Sequence, residues 1–315
     1  MNSQQTQLPP VSALRQRWLL LAVAAVLFWG VWAITSRFVG DAINAAQSQA
    51  LSTVGLIPVL VALACSKRLG VSGNRLRGSV EAFAAGTLAC GGNIAYYHAL
   101  GLGEKASTVI PLTALYPLVT IVLAMILLRE RINGIQLIGI AVSFVAIYLF
   151  NAASVAGLFS SWIGYALLPI VFWGVAGLLQ KMATNHISGE LSTLWFLSAF
   201  VPVGMVLLFL EPLQGNPSVK TWMAVTALGL FFSLGNLAIL GAFAAGGKAS
   251  IITPLTALYP AVSIPLAILF FKERIGAREG VAIALALLSV VALAWETAVT
   301  PHPNPYSCSE SYSAS

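Results

Sequence analysis

The sequence predicts an all-α integral membrane protein with ten transmembrane helices, arranged as two inverted repeats of five helices each. Three observations predict this fold class. Hydrophobic residues make up 58% of the 315 residues and charged residues only 8%, whereas a soluble domain carries about 25% charged residues. Long apolar runs recur along the whole chain. The heptapeptide PLTALYP occurs twice, at 111–117 and at 254–260.

The low charge content decides the solvent and narrows the partners. So few charged side chains could not cover a water-soluble protein of this length, so most of the chain must face the lipid bilayer. The net charge of +6 does not argue for nucleic acid, because basic residues of membrane proteins collect in cytoplasmic loops. Cys65, Cys90 and Cys308 are widely spaced and suggest neither disulfides nor a metal site. We expect no metal and no cofactor.

Ten apolar runs are each close to the roughly 20 residues that a helix needs to cross the hydrocarbon. They are continuously apolar and lack the alternating pattern of a transmembrane β-barrel, so helices are expected. The runs lie at about 18–34, 47–66, 80–101, 107–128, 134–151, 161–180, 190–210, 221–245, 249–271 and 277–296.

The chain divides into two repeats with short flanking segments. The PLTALYP offset of 143 residues also relates Glu130 to Glu273, and Phe28–Val31 matches Phe172–Val175 at an offset of 144. Because five is an odd number, two such units in one chain must have opposite orientations, which is the inverted repeat of many secondary transporters. We expect a disordered cytoplasmic arm at 1–17, a first repeat at 18–151, a junction at 152–160, a second repeat at 161–296 and a disordered tail at 297–315.

The basic residues favour an orientation with both termini in the cytoplasm. With the N-terminus inside, eight Lys and Arg of the first half lie in the cytoplasm, and only Arg37 and Lys105 lie outside. The second half is mixed, but early helices usually dominate the orientation. We expect a multi-pass protein of the cytoplasmic (inner) membrane.

The chain resembles the EamA family of the drug/metabolite transporter superfamily over residues 18 to 296. The resemblance is carried by the Phe-Trp-Gly of helices 1 and 6, the proline-rich starts of helices 4 and 9, and Glu130 and Glu273 after them. It implies a secondary transporter, not an enzyme, with helices 1, 3, 4, 6, 8 and 9 around a central cavity and helices 5 and 10 outside them. It also implies alternating access to that cavity. The substrate is suggested by the aromatic-rich, uncharged character of the cavity and not by the family: we expect a small organic metabolite, such as an amino acid or a nucleoside-like solute, moved outward.

The duplicated heptapeptide predicts a wall of that cavity. Thr113 and Tyr116 share one helix face, and Thr256 and Tyr259 repeat it in the second half. Proline removes the hydrogen bond to the carbonyl four residues earlier, and a free carbonyl in hydrocarbon must face protein or water. The alternative is that the hydroxyls bond back to their own helix. We expect hinges at four prolines: Pro111, Pro117, Pro254 and Pro260.

Polar and aromatic residues of helices 3 and 8 are further candidates for substrate binding. Asn93 and Asn236 correspond at an offset of 143, and a buried amide in lipid marks an interior face, as a ligand contact or as a link between helices. Tyr96 and Tyr97 share the Asn93 face and have no counterpart in the second half. They are therefore candidates to choose the substrate, with an interfacial belt as the alternative.

Matched residues in helices 1 and 6 and at the helix ends complete the set. Trp29 and Trp173 lie well inside their helices, which favours cavity lining or packing over an interfacial belt. Glu130 and Glu273 are expected to form interfacial ion pairs, with a gating role as the alternative. No Asp, Glu, Lys or Arg lies in the middle of a run, which favours a facilitator or exchanger over a proton-driven pump, or else coupling through the acidic residues at the helix ends.

Other classes of function are weaker fits. An enzyme needs a catalytic constellation, but His98, His186 and His302 are far apart in sequence and lack acidic neighbours. A solute channel or a membrane scaffold remains the alternative to a carrier. Small residues such as Gly139 and Ser143 in helix 5 fit either internal packing or a homodimer.

Overall fold

A computed structural model of the chain describes residues 11–40, 42–129, 132–151, 161–213 and 215–295. Within these ranges the chain is helical, apart from loops and one isolated antiparallel bridge between Val71 and Ile187. The helices are α1 (Val11–Gly40), α2 (Ala45–Ala64), α3 (Arg75–Gly101), α4 (Ala106–Thr113), α5 (Pro117–Leu127), α6 (Gly134–Asn151), α7 (Ser161–Thr184), α8 (Gly189–Ser198), α9 (Phe200–Leu210), α10 (Val219–Ala244), α11 (Ala249–Thr256), α12 (Pro260–Phe271) and α13 (Ala277–Leu293).

Seven segments of the described chain are long and apolar enough to cross a membrane, and the protein is a multi-pass membrane protein. Three of these segments are broken helices, formed by α4 with α5, α8 with α9, and α11 with α12. The remaining four are α1, α2, α7 and α10. The predicted count of ten spans is therefore supported for seven segments and stays a prediction for α3, α6 and α13.

The three remaining helices differ from the others for identifiable reasons. The helix α3 is long but carries Asn93, two tyrosines and His98, which lower its mean hydropathy. In α6 the apolar part is short, Gly134–Leu149, and α13 has only 17 residues. The last two pack against each other, where Gly139 of α6 lies against Leu293 of α13. The small residues of the fifth predicted helix, which is α6 in the structure, therefore serve packing within the chain.

The start of the chain differs from the expected boundary. The helix α1 begins at Val11, directly after two prolines, so part of the predicted arm at 1–17 is helical. The predicted junction at 152–160, the tail at 297–315 and Glu130 lie outside the described residues.

The two repeats interlock through equivalent helix pairs. The first helix of each repeat lies along the third helix of the other, so that α1 packs on α10 and α7 packs on α3. Both pairs are antiparallel. In the first, Gly241 meets Leu21 and Gly235 meets Trp29. In the second, His98 lies 4.2 Å from Tyr165 between ring centroids, while Gly78 lies near Ala183 at the other end.

The crossing of α2 and α10 depends on two glycines. A methyl group on Gly229 would overlap the carbonyl oxygen of Ser52, and one on Gly55 would overlap the carbonyl oxygen of Thr226. The two backbones are therefore in direct contact. Small residues allow this approach, which supplies van der Waals packing between helices when the solvent is lipid.

We expect Gly229→Ala to lower the free energy of unfolding by about 1–3 kcal/mol, the usual cost of overpacking, because the Ser52 carbonyl belongs to rigid backbone. The control is Gly164→Ala in α7, where nothing lies within 4 Å of the added methyl group. Alanine there should stabilise the helix by about 0.5–1 kcal/mol. Thermal unfolding in detergent checks both variants, and equal effects at the two positions would contradict the close crossing.

Candidate functional site

Two broken helices cross at the centre of the protein, and both break inside PLTALYP. The helix α4 ends at Thr113 and α5 begins at Pro117, whereas α11 ends at Thr256 and α12 begins at Pro260. At the crossing, α4 packs on α12 and α5 packs on α11. The two identical segments therefore lie face to face between the repeats.

The breaks leave no free carbonyl at the positions that the sequence suggested. The Tyr116 N–H donates to the Thr113 carbonyl at 3.2 Å, and the Tyr259 N–H donates to the Thr256 carbonyl at 3.4 Å. A tight turn of the 3₁₀ type thus replaces the bond that the proline removes. The predicted hinges at Pro117 and Pro260 coincide with these breaks, while Pro111 and Pro254 lie inside α4 and α11.

A small aromatic cavity lies beside the crossing. The centres of water-sized spheres can occupy about 50 Å³ of it, and the total space that no atom fills is about 420 Å³. None of the described residues that line it is charged. The lining residues are Trp29, Trp32, Ala89, Tyr116, Trp173, Ala176, Gln180, Phe196, Phe232, Asn236 and Tyr259.

Two equivalent Trp–Tyr pairs form opposite walls of this cavity. Trp173 meets Tyr116 edge to face, with 6.0 Å between ring centroids and 90° between ring planes. Trp29 meets Tyr259 in the same manner, at 6.5 Å and 86°. Each pair joins a tryptophan of one repeat to a tyrosine of the other. The cavity is therefore built jointly by both repeats.

Glycines next to the asparagines make room for the tryptophans. A methyl group on Gly235 would overlap the indole of Trp29, and one on Gly92 would overlap the indole of Trp173. The Gly-Asn pairs 92–93 and 235–236 therefore have a steric reason. Both tryptophans can lie flat against the third helix of the other repeat.

The two asparagines lie at the centre but take different partners. Asn93 accepts a hydrogen bond from the Trp173 indole N–H at 3.1 Å. Asn236 accepts one from the Gln180 side chain at 3.0 Å and donates to the Phe232 carbonyl at 2.9 Å. Only Asn236 lines the cavity, so Asn93 acts on it through Trp173.

This difference leaves one indole N–H without a partner. By repeat symmetry Trp29 would donate to Asn236, but Gln180 occupies that oxygen. The Trp29 Nε1 is buried and has no hydrogen-bond partner among the described residues. The Tyr116 hydroxyl lies beside Thr256 and likewise has no partner within hydrogen-bonding distance.

The predicted threonines lie behind the cavity wall. Thr113 donates to the Ile110 carbonyl at 3.0 Å and lies 3.4 Å from the Tyr259 hydroxyl. Thr256 donates to the Ile252 carbonyl at 3.0 Å. Both hydroxyls bond back to their own helix, as the alternative interpretation expected, and neither lines the cavity.

The two tyrosines of α3 lie on the far side of Trp32. Tyr96 is fully buried, stacks on Trp32 at 5.2 Å between centroids and donates to the Ala33 carbonyl at 3.2 Å. Tyr97 accepts a hydrogen bond from the Trp32 indole at 3.2 Å. Neither lines the central cavity, and neither lies in an exposed belt.

Tyr97 faces a second, larger cavity. This vestibule has about 790 Å³ and lies between the end of α1, the start of α2, the end of α3 and the α9–α10 loop. Its polar lining includes Asn44, Gln47 and His98. Since Trp32 lines the central cavity and Tyr97 lines the vestibule, the Trp32–Tyr97 pair separates the two spaces.

Sequence reasoning missed six residues of the cavity wall: the small Ala89 and Ala176, and the larger Trp32, Gln180, Phe196 and Phe232. Two of the larger residues carried a signal, because Trp32 lies three residues after Trp29 and Gln180 lies seven after Trp173, on the same helix faces. The phenylalanines had none, because any apolar residue of α8 or α10 was an equal candidate.

Glu273 closes one end of the crossing. Its carboxylate accepts hydrogen bonds from the backbone N–H groups of Ala106 at 2.9 Å and Ser107 at 2.8 Å, at the start of α4. A carboxylate there is favoured by the helix dipole and by the unpaired N–H groups. Lys272 before it adopts a left-handed conformation, with φ of 53°, which ends α12. The expected interfacial charge is thus used as a helix cap.

Glu279 adds a second link at the same end. It forms an ion pair with Lys105 at 2.8 Å and accepts a hydrogen bond from the Thr108 hydroxyl. Lys105 also donates to the Arg274 carbonyl at 2.9 Å. We call Lys105, Glu273 and Glu279 the end clamp, because together they tie the start of α4 in one repeat to the α12–α13 connection in the other.

The fold and the paired broken helices define a multi-pass membrane protein of the transporter class, built from two repeats. The chain belongs to the EamA-like transporter family, which matches residues 16–152 and 160–295. The resemblance found in the sequence is therefore confirmed.

Two further similarities bear on the architecture. An uncharacterized protein of Methanocaldococcus jannaschii is 26% identical over 136 residues, which cover 43% of this chain and 97% of that protein. That protein is thus about as long as one repeat. A solved crystal structure is similar at a TM-score of 0.63 and 17% identity, covering 88% of this chain and 96% of the other, which shows a shared fold.

We expect Glu273→Gln to lower the free energy of unfolding by about 1–2 kcal/mol, because an amide keeps one of the two acceptor oxygens and loses the charge that favours the helix start. The matched control is Glu104→Gln beside Lys105, since no hydrogen bond of that carboxylate is found among the described residues. Thermal unfolding in detergent compares the two. A larger loss for Glu104→Gln would contradict the capping role.

Proposed function

We propose that the protein is a secondary transporter that moves a small organic metabolite, such as an amino acid or a nucleoside-like solute, outward across the cytoplasmic membrane. The observation that carries the proposal is the central aromatic cavity, which both repeats build beside the crossing of their broken helices. Broken helices at the interface of two repeats are the binding-site architecture of many secondary transporters.

The proposed mechanism is alternating access between inverted repeats. Within one repeat the first and third helices have the same direction, because one membrane-crossing helix lies between them and reverses the direction of the chain. The antiparallel α1–α10 and α3–α7 pairs therefore support opposite directions for the two repeats. The breaks before Pro117 and Pro260 would allow each half-helix to tilt separately.

The vestibule and the end clamp lie towards the same end of the protein. The end of α1 lines the vestibule. Near that end, Phe38 also packs on Phe271 at 4.6 Å between ring centroids, and Phe271 ends α12 just before Glu273. In the proposed cycle, opening of the clamp and separation of Trp32 from Tyr97 would connect the central cavity with that side. The tilt of the opposite half-helices would connect it with the other side.

Opposite orientations of the repeats predict opposite labelling of equivalent loops. Cys65 is exposed after α2, and the equivalent loop of the second repeat follows α9. In a cysteine-free background, we expect a single cysteine at 65 to react with a membrane-impermeant maleimide only from the cytoplasmic side. Asn216→Cys should react only from outside. Labelling of both from one side would refute inverted repeats.

We expect counterflow in proteoliposomes preloaded with a mixed metabolite pool, because a carrier exchanges internal for external solute at one site. Asn236→Ala should reduce the saturable rate by at least about tenfold, since it removes a polar group from the cavity and leaves Gln180 unpaired. The matched control is Thr87→Ala, on an exposed face of α3, which should leave the rate unchanged.

The counterflow assay distinguishes three outcomes. Accumulation of labelled solute that Asn236→Ala abolishes in a folded protein supports both the carrier and the cavity. Saturable exchange that the variant leaves intact supports the carrier but not this site. Leakage without saturation or counterflow would replace the carrier with a channel.

A further inference from the structure

The two equivalent tryptophans of the cavity differ in one respect that the repeat symmetry does not require. The Trp173 indole N–H is held by Asn93, whereas the Trp29 indole N–H has no partner among the described residues. The repeats differ at the Asn236 oxygen, because Gln180 stands where the first repeat has Ser36 and donates to that oxygen. One buried donor beside the cavity thus has no hydrogen-bond partner among the described residues.

A second buried group with the same property comes from the other side of the crossing. The Tyr116 hydroxyl lies beside Thr256 but has no partner within hydrogen-bonding distance among the described residues. A buried donor without a partner costs about 1–3 kcal/mol, so its retention calls for an explanation. Both Trp29 and Tyr116 line the central cavity. Their polar atoms are covered in this structure, so a shift of the cavity walls would be needed for a bound molecule to accept their hydrogen bonds.

The electrostatic character of the cavity limits the charge of that molecule. The described residues that line it are aromatic, aliphatic or amide side chains. Transferring an ion to such a site without a counter-charge costs far more than transferring a neutral polar group. Aromatic faces can attract a cation, but the Trp29 indole N–H can only donate a hydrogen bond and opposes it.

The shape of the cavity limits the molecule further. Trp32 stands against Trp173 at 5.8 Å and against Phe232 at 5.6 Å between ring centroids. The open space between these rings is narrow, about 50 Å³ for water centres. A flat ring that stacks between these walls would separate them less than a bulky aliphatic group would.

We propose that the central cavity selects an uncharged, planar solute with hydrogen-bond acceptor atoms, which binds the Trp29 indole N–H and the Tyr116 hydroxyl. The inference rests on the proposed transport function and narrows its substrate class. It favours nucleobase-like or aromatic amide solutes over zwitterionic amino acids. It also assigns the two residues as specificity determinants on opposite repeats.

Three probes of one shape and different charge test the selection. Nicotinamide is uncharged, nicotinate is an anion at neutral pH, and 1-methylnicotinamide is a cation. Equilibrium dialysis of each labelled probe against the full-length protein in detergent should show nicotinamide bound at least about tenfold more tightly than either ion. Equal or tighter binding of an ion, or no binding of nicotinamide, would overturn the proposal.

Conservative variants test the two donors. Trp29→Phe and Tyr116→Phe keep the aromatic walls and remove one donor each, so each should weaken nicotinamide binding about three- to tenfold. The matched controls are Trp195→Phe and Tyr148→Phe, on exposed helix faces, which should have no effect. Binding that both cavity variants leave unchanged would refute the assignment, and the selectivity of the wild type tests the charge argument without any variant.

The failure of this inference can be told apart from the failure of the transport proposal. Selective nicotinamide binding without counterflow of any solute would support the site and refute the carrier. Counterflow of a charged metabolite, with no preference for nicotinamide over its ions, would support the carrier and refute the substrate class.

Discussion

The structure depends on one constraint, which is that backbone polar groups at two helix breaks must be satisfied away from water. Each proline removes a helix hydrogen bond in a region where lipid offers no replacement. The tight turns at Tyr116 and Tyr259 supply the missing bonds. The Thr120 hydroxyl also donates to the Gly174 carbonyl at 2.8 Å, so the α5 segment is tied to α7 directly after its break. Because both breaks are satisfied internally, the two segments can cross beside a cavity without exposing backbone to the hydrocarbon.

The same crossing explains why glycines and tryptophans recur together. A methyl group on Gly174 would overlap Val119, and one on Gly30 would overlap Val262, so the Trp-Gly pairs bring the first helix of each repeat against the broken helix of the other. The tryptophan before each glycine then reaches the cavity. The same Trp-Gly pairs therefore pack the helices together and form the cavity, once in each repeat. The two repeats differ at a few equivalent positions, such as Trp32 in the first repeat and Ala176 in the second.

Duplication made much of this predictable from sequence alone. Residues that match across the repeats, including Trp29, Trp173, Tyr116, Tyr259 and Asn236, line the cavity because both copies must fit one interface. The prediction was less complete for the hydrogen-bond partners of individual side chains. Nothing in the sequence could show that Thr113 and Thr256 bond to their own helices, or that Glu273 caps another helix. Those outcomes depend on distances between distant segments. The helices α3, α6 and α13 lack the length or the apolar composition of a typical membrane span. Helices that are buried among other helices can be shorter or more polar than helices that face lipid.

Symmetry is broken at the ends of the protein as well as at its centre. Gln136 occupies the repeat position of Glu279 and donates to the Leu293 carbonyl at 2.9 Å, so the equivalent position of the first repeat carries an amide where Glu279 supplies a carboxylate to Lys105. Lys105 is half exposed, with 45% of its side-chain surface accessible, and such a pair contributes about 1 kcal/mol at most. That difference shifts a two-state equilibrium by about fivefold. In the transport cycle proposed above, a link of this strength would favour closure of this end and still let thermal motion open it.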